Sequence, residues 1–166
     1  CVTGVQTCAL PILILKALGF NDRTKACVTP SVKQKDSEIE ARRLSPALDP
    51  DQTSRYRSCV MRASFLSQER SDLGEAVKSL AQGMAKPTLA YLEDLKRLGR
   101  YLVGVPHLVL CYVQQRAPLV LTVNVDSDHA ADKMTRKSTT GMTIVFGEHL
   151  LKSTSNLQSS IGLNVA

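Results

Sequence analysis

Two carboxylates stand two residues apart in VNVDSD, Asp126 and Asp128, at the end of a run of branched apolar residues. Side chains alternate along a strand, so the two share a face only if extended geometry continues past Ser127. Taken alone, an Asp at a strand end reads as a turn or cap residue. Three cations, Lys96, Arg97 and Arg100, fall within five residues, and Arg136 and Lys137 stand together further on. Cations on a rigid element suit phosphate tracking rather than base reading, and a solvated helix face or loop accounts for the same residues equally well. The formal charge of +6 favours a polyanionic partner. Five cysteines, at positions 1, 8, 27, 59 and 111, form no CxxC or CxxH pair, which argues against a zinc site and for a reducing compartment.

These residues need elements to hold them. Hydrophobic content is 43%, enough for a globular core, but aromatics are 4% with no Trp, so the core rests on Leu, Val, Ile and Ala. A short apolar segment from Leu13 ends at Gly19, and the polar stretch from Lys25 to Ser54, with three prolines, reads as a disordered linker. Helical spacing then places Tyr56, Val60, Ala63 and Leu66 on one face. A second helix carries Leu73, Ala76, Val77, Leu80 and Met84, with Ser71 or Asp72 as its N-cap and Pro87 beyond it. Thr88 caps a third helix with a stripe of Leu92, Leu95, Leu98 and Leu102 and an exit at Gly104. After Pro106 the pattern turns extended: residues 108–113, then 119–126, then 143–146, a turn at Gly147-Glu148-His149, and 150–155 as hairpin partner. The apolar run from Ala9 to Leu18 is too short and too interrupted to span a membrane or to be a signal peptide.

Residues 2–12, VTGVQTCALPI, match the translation of a common sequencing adapter, and such a segment leaves fold reasoning. The other reading is a natural apolar N-terminal segment. On the adapter reading Cys1 and Cys8 carry no meaning.

Three blocks carry a family resemblance. YRSCVMRASFLSQERSDLGEAV is similar to the end of the copia-type reverse transcriptase, roughly YRSLVGSLLYLAQTRPDIAFAV. KPT followed by DLKRLGRYLVGV resembles NPT followed by AAKRVLRYLKGT. VNVDSDHAAD followed by MTRKSTTG resembles YSDADWAGD followed by RKSTSG, the opening of the family's RNase H. Blocks in consistent order and spacing over residues 13–166 are more specific than one motif. Two departures stand out: Ser71 replaces the Pro of RPD, and His129 replaces the Trp of DADW.

The resemblance implies an α+β fragment: the helical end of the reverse transcriptase, residues 54–106, followed by an incomplete RNase H-like sheet of about three strands, residues 107–166. Residues 1–12 are the adapter-derived part and 13–53 the apolar segment and linker. It also implies an RNA-directed DNA polymerase with RNA–DNA hybrid ribonuclease in the parent, from a retrotransposon Pol polyprotein. In such a ribonuclease two Mg²⁺ ions are held by carboxylates. Asp126 is then the first catalytic and metal-binding carboxylate and Asp128 a secondary one, while His129 is a packing or surface residue. The family's other carboxylates lie downstream of this stretch and the polymerase aspartates upstream, so the expectation is no catalysis in isolation and weak folding of the strands. Expected partners are an RNA–DNA hybrid or DNA template-primer and the rest of the polyprotein, inside the cell, with no membrane. The competing function is a non-catalytic nucleic-acid-binding module or pseudogene product derived from such an element.

Overall fold

A computed structural model describes residues 2–3, 9–21, 23–33, 38, 41–42, 44–129 and 136–161. The chain divides into two compact units, one of Gln6–Leu108 and one of Cys1–Val5 with Val109–Ala166. Among the described residues there are four α-helices, all in the first unit, and a three-stranded antiparallel sheet in the second, an α+β composition.

The helical unit begins with α1 (Ala9–Ala17), which runs across residue 12 and buries Pro11 and Ile14. Gly19, at φ 69°, ends it. The Phe20 amide donates to the Leu15 carbonyl at 2.9 Å and the Gly19 amide to the Lys16 carbonyl at 3.1 Å, the left-handed glycine cap that satisfies the last orphan carbonyls.

Helix α2 (Pro50–Ser67) starts inside the stretch expected to be linker. Asp49 is the reason: its carboxylate accepts from the Gln52 amide at 2.7 Å, and Pro50 supplies a pre-set φ at the first helical position. The expected face of Tyr56, Val60, Ala63 and Leu66 is buried, with Cys59 beside it. A 3₁₀ turn (Ser71–Leu73) leads into α3 (Gly74–Gln82), which buries Ala76, Val77 and Leu80. Neither Ser71 nor Asp72 caps α3; the residue at that position is Leu73, with no side-chain bond.

Helix α4 (Leu89–Gly104) ends at the expected glycine and buries Leu95, Leu98 and Leu102, with Leu92 packed partly against them. Thr88 occupies the N-cap in extended backbone, yet its hydroxyl makes no capping bond. The Ala90 amide instead donates to Ser45 Oγ at 3.0 Å, so the cap is supplied from a residue far away in sequence. Around it, Ala47 and Thr88 form an antiparallel bridge, Leu48 N–H reaches the Pro87 carbonyl at 3.0 Å, and Leu89 N–H reaches the Pro46 carbonyl at 2.9 Å. Arg42 forms an ion pair with Asp94. The part of the polar stretch from Arg42 onward is therefore fastened to the start of α4, because its backbone groups find partners there.

In the second unit β1 (Val2–Thr3) pairs antiparallel with β2 (Cys111–Tyr112). The sheet proper runs β3 (Leu121–Asp128), β4 (Lys137–Phe146), β5 (His149–Ile161), in that spatial order. Leu121 faces Phe146, Val123 faces Ile144 and Val125 faces Met142. Directly opposed residues share a face, so these six form one apolar side of the β3–β4 pair. Val123 is 48% exposed and Val125 65%, so in this unit nothing among the described residues covers that side of β3. A sheet with an apolar face gains its stability from a second layer.

The β4–β5 turn is locked by Gln115. Its side-chain nitrogen lies 3.0 Å from the Phe146 carbonyl and 3.1 Å from His149 Nδ1, while its oxygen accepts from the Glu148 amide at 3.0 Å. His149 Nε2 sits 2.7 Å from the Val113 carbonyl, and its ring meets Tyr112 edge-on at 5.1 Å. Gly147 completes the arrangement at φ 61°, and a Cβ there would run into the Gln115 side chain and Pro118. Gly147→Ala combines a left-handed penalty of roughly 1–2 kcal/mol with displacement of Gln115. Amide hydrogen exchange on Phe146 and Glu148 is expected to speed up at least tenfold in this variant; unchanged protection would show that the lock carries no stability.

Candidate functional site

The two carboxylates stand on β3, which stays extended through Asp128. The condition for sharing a face is met: Asp126 and Asp128 project from one side of the strand, with Thr122 and Asn124. Across the ladder this side meets Val145, Thr143, Gly141 and Thr139, so it is largely polar where the opposite side is apolar. Asn124 Nδ2 donates to Thr143 Oγ1 at 3.4 Å on this face. Asp126 lies opposite Gly141, which places no side chain beside it, and Asp128 lies opposite Thr139. Both aspartates are exposed. Arg136, at φ 57°, and Lys137 stand at the start of β4, the same end of the ladder as Asp128. His129 is an exposed turn residue just past β3.

An oxygen-seeking divalent cation such as Mg²⁺ suits two carboxylates with hydroxyls and water. Among the described residues no group of three or more His, Cys, Asp or Glu comes together that could hold a metal ion. The donor set on β3 is therefore right in kind and has two members.

The cations of α4 separate into two environments. Lys96 Nζ pairs with Glu93 Oε1 at 2.7 Å one turn back on the helix surface. Arg97 Nη2 donates to Thr29 Oγ1 at 2.9 Å, and Cys27 packs on the same stretch, its amide donating to the Arg100 carbonyl at 3.3 Å. The Nε atoms of Arg97 and Arg100 are buried. Two of the three residues thus lean on the segment around Cys27, and Lys96 stands outermost.

A further polar cluster lies where the 3₁₀ turn meets α4. Arg70 grips Asp72 with two parallel bonds, Nε to Oδ1 at 2.9 Å and Nη2 to Oδ2 at 2.6 Å, while Nη1 donates to the Val105 carbonyl at 3.0 Å. Tyr101 Oη donates to Asp72 Oδ2 at 2.8 Å, and the guanidinium lies 5.9 Å from the Tyr101 ring centre. Burial alone pushes the Asp72 carboxyl up, but the hydrogen bonds from Arg70 and Tyr101 and the guanidinium charge outweigh it and hold the group below the ordinary aspartate value. This engagement is why Asp72 does not cap α3. The Arg-x-Asp spacing was visible in the sequence; Tyr101 on α4 and the Val105 carbonyl just past it, some thirty residues away, were not. The cluster is structural: every strong donor in it is directed at a protein acceptor.

No helix among the described residues is long and apolar enough to cross a membrane. No family model matches the chain, and no solved structure matches it. Curated proteins do. The chain is 34% identical over 106 residues to the retrovirus-related Pol polyprotein from transposon RE1 of Arabidopsis thaliana, covering 64% of this chain and 7% of that protein. It is 34% identical over 112 residues to the Pol polyprotein from transposon RE2 of the same plant, covering 68% of this chain and 8% of that one. An uncharacterized mitochondrial protein of Arabidopsis thaliana matches at 34% over 118 residues, covering 71% of this chain and 48% of the relative. The chain thus spans about half of the mitochondrial protein and less than a tenth of either polyprotein. Three matches of equal identity, two of them to named Pol polyproteins, make this chain similar to a stretch of the retrovirus-related Pol polyproteins of transposons.

Proposed function

We propose that the chain is the junction between a copia-type reverse transcriptase and its RNase H: residues 54–106 are the helical end of an RNA-directed DNA polymerase, and residues 107–166 carry the opening strands of a hybrid-cleaving ribonuclease. The observation that carries this reading is the Asp126–Asp128 pair, exposed on the polar face of a three-stranded antiparallel sheet whose strands follow one another in sequence order. In a two-metal hydrolysis one ion activates water and the other stabilises the leaving oxygen. Here Asp126 is the metal-binding carboxylate, Asp128 supports it on the same face, and Arg136 and Lys137 supply positive charge beside it for a phosphate of an RNA–DNA hybrid. Two carboxylates do not hold two ions, so the chain alone binds Mg²⁺ weakly and does not cleave. Its working partners are the rest of the polyprotein and a template-primer duplex, inside the cell.

Titration of the full chain with Mn²⁺, a paramagnetic stand-in for Mg²⁺, tests the assignment. Selective broadening of the Asp126, Asp128 and Gly141 amide resonances is expected, abolished in Asp126→Asn, with no cleavage of a labelled RNA–DNA hybrid by either protein. Broadening spread over all surface carboxylates, or unchanged in Asp126→Asn, would remove the metal assignment. Hydrolysis by the chain itself would refute the inactivity.

A further inference from the structure

Between α1 and α2 lies a cleft of about 440 Å³ whose polar lining is Lys16 from α1 and Ser54, Arg55, Ser58 and Arg62 from α2. Three cations and two hydroxyls line it, and among the described residues no carboxylate does. Ser54, Ser58 and Arg62 recur every four residues, so they form one stripe along α2, separate from the buried face of Tyr56, Cys59, Val60 and Ala63. Among the described residues the acid ion-paired with this set is Asp51, which meets Arg55 at 3.8 Å with both side chains largely in solvent, a contact worth little in water. Arg62 is partly buried, and no ion pair engages it among the described residues. A cleft lined by one sign of charge focuses potential and concentrates counter-ions. None of these five residues belongs to the basic face of α4 or to the sheet.

We propose that this cleft is a phosphate-binding groove that takes the backbone of a nucleic-acid strand. Arg55 and Arg62 supply planar donor forks matched to phosphate oxygens, Lys16 a point charge from the opposite wall, and the two serines neutral O–H donors. The stripe from Ser54 to Arg62 is about 12 Å long at ~1.5 Å per helical residue. A stripe of that length reaches past one phosphate to the next along a strand, which favours a polymer over a free ion. The cleft lies wholly within the helical unit and stands whether or not Asp126 binds metal.

The test uses the full chain with two probes, a single-stranded 12-mer oligonucleotide and inorganic pyrophosphate, read by NMR shifts of the Ser54, Ser58 and Arg62 amides and, for the 12-mer, by fluorescence anisotropy at several salt concentrations. The expected result is shifts at those three amides with the 12-mer. In Lys16→Gln/Arg55→Gln/Arg62→Gln the oligonucleotide affinity falls at least tenfold and the salt slope drops by about 2, at roughly 0.7 per released counter-ion on single strands. Unchanged helix content and thermal midpoint by circular dichroism accompany the loss, and the shifts on wild-type protein need no variant at all. Shifts with pyrophosphate but not with the 12-mer would overturn the nucleic-acid assignment in favour of a small phosphate ligand. No shift with either probe, or an affinity and salt slope unaffected by the triple change, would overturn the groove itself. Loss of Mn²⁺ selectivity at Asp126 would leave this result untouched.

Discussion

Replacing Arg70 by Met is expected to destabilise the helical unit by about 3–5 kcal/mol, the range for removing one partner of a buried ion pair. Arg70 is only 5% exposed, and its guanidinium is the donor to both Asp72 oxygens and to the Val105 carbonyl at once. Without it the carboxylate keeps Tyr101 as its remaining side-chain donor, and the end of α4 loses the bond at Val105. Urea unfolding followed by helix ellipticity at 222 nm is the measurement; a midpoint within error of wild type would mean that the pair sits in an environment wet enough to do without it. The pH dependence gives a second, sign-specific readout. Asp72 is held below its unfolded-state value, so its contribution is present above the ordinary aspartate range, near pH ~3.9, and is lost as pH falls through the lower folded value. Wild type is therefore expected to shed stability on the acid side of that range, and Arg70→Met to show a smaller acid-side loss because the depression is largely gone.

The second large effect is at Tyr56, the largest of the fully buried side chains. Tyr56→Ala removes a ring from the centre of the helical core and is expected to cost about 3–5 kcal/mol, transfer and cavity together. The phenol contributes separately. Its hydroxyl donates to the Leu80 carbonyl at 2.6 Å, and burial, followed by the negative charge of neighbouring groups, pushes its pKa well above the ordinary tyrosine value, so it remains a neutral donor. Leu80 O also accepts from the Gly83 amide at 3.1 Å, so Tyr56→Phe orphans no carbonyl. The Phe variant is expected to lose only about 1 kcal/mol, the net worth of one hydrogen bond. Equal losses in the two variants, measured by the same urea titration, would show that the hydrogen bond rather than the ring holds α2 on α3.

Helix faces were legible because burial on a helix repeats with its own period, and Tyr56, Val60, Ala63, Leu66, Leu95, Leu98 and Leu102 all lie where that period puts them. The start of α2 was written in the chain as Asp49-Pro50, a capping residue and a first-turn proline, but it stood inside a polar run that hid it. The cap of α4 was not legible: Thr88 has the right residue type and position, and Ser45 performs the role because the backbone bridge at Ala47 brings it there. The same limit applies to Gln115, whose three contacts fall on the β4–β5 turn more than thirty residues further along. Alternation made Asp126 and Asp128 a possible pair; the continued extension of β3 past Ser127 is set by pairing with β4 and has no local cause. In β5 the expected partner for residues 143–146 continues well beyond Ser155, to Ile161, since ladder hydrogen bonds reward every further residue that β4 can oppose.

The bridge between Ala47 and Thr88, flanked by its two backbone bonds, closes the chain from one to the other into a ring that contains α2, the 3₁₀ turn and α3. The entropy of closing such a ring rises only logarithmically with its length. A longer connection between α2 and α3 is therefore a small perturbation as long as the clasp survives, whereas a change at the clasp itself opens the whole ring. The robustness of the helical unit thus resides in a clasp of two short stretches, Ser45 to Leu48 and Pro87 to Ala90, of which Leu48 also belongs to the core, and the loops inside the ring are the places where its length is free to vary.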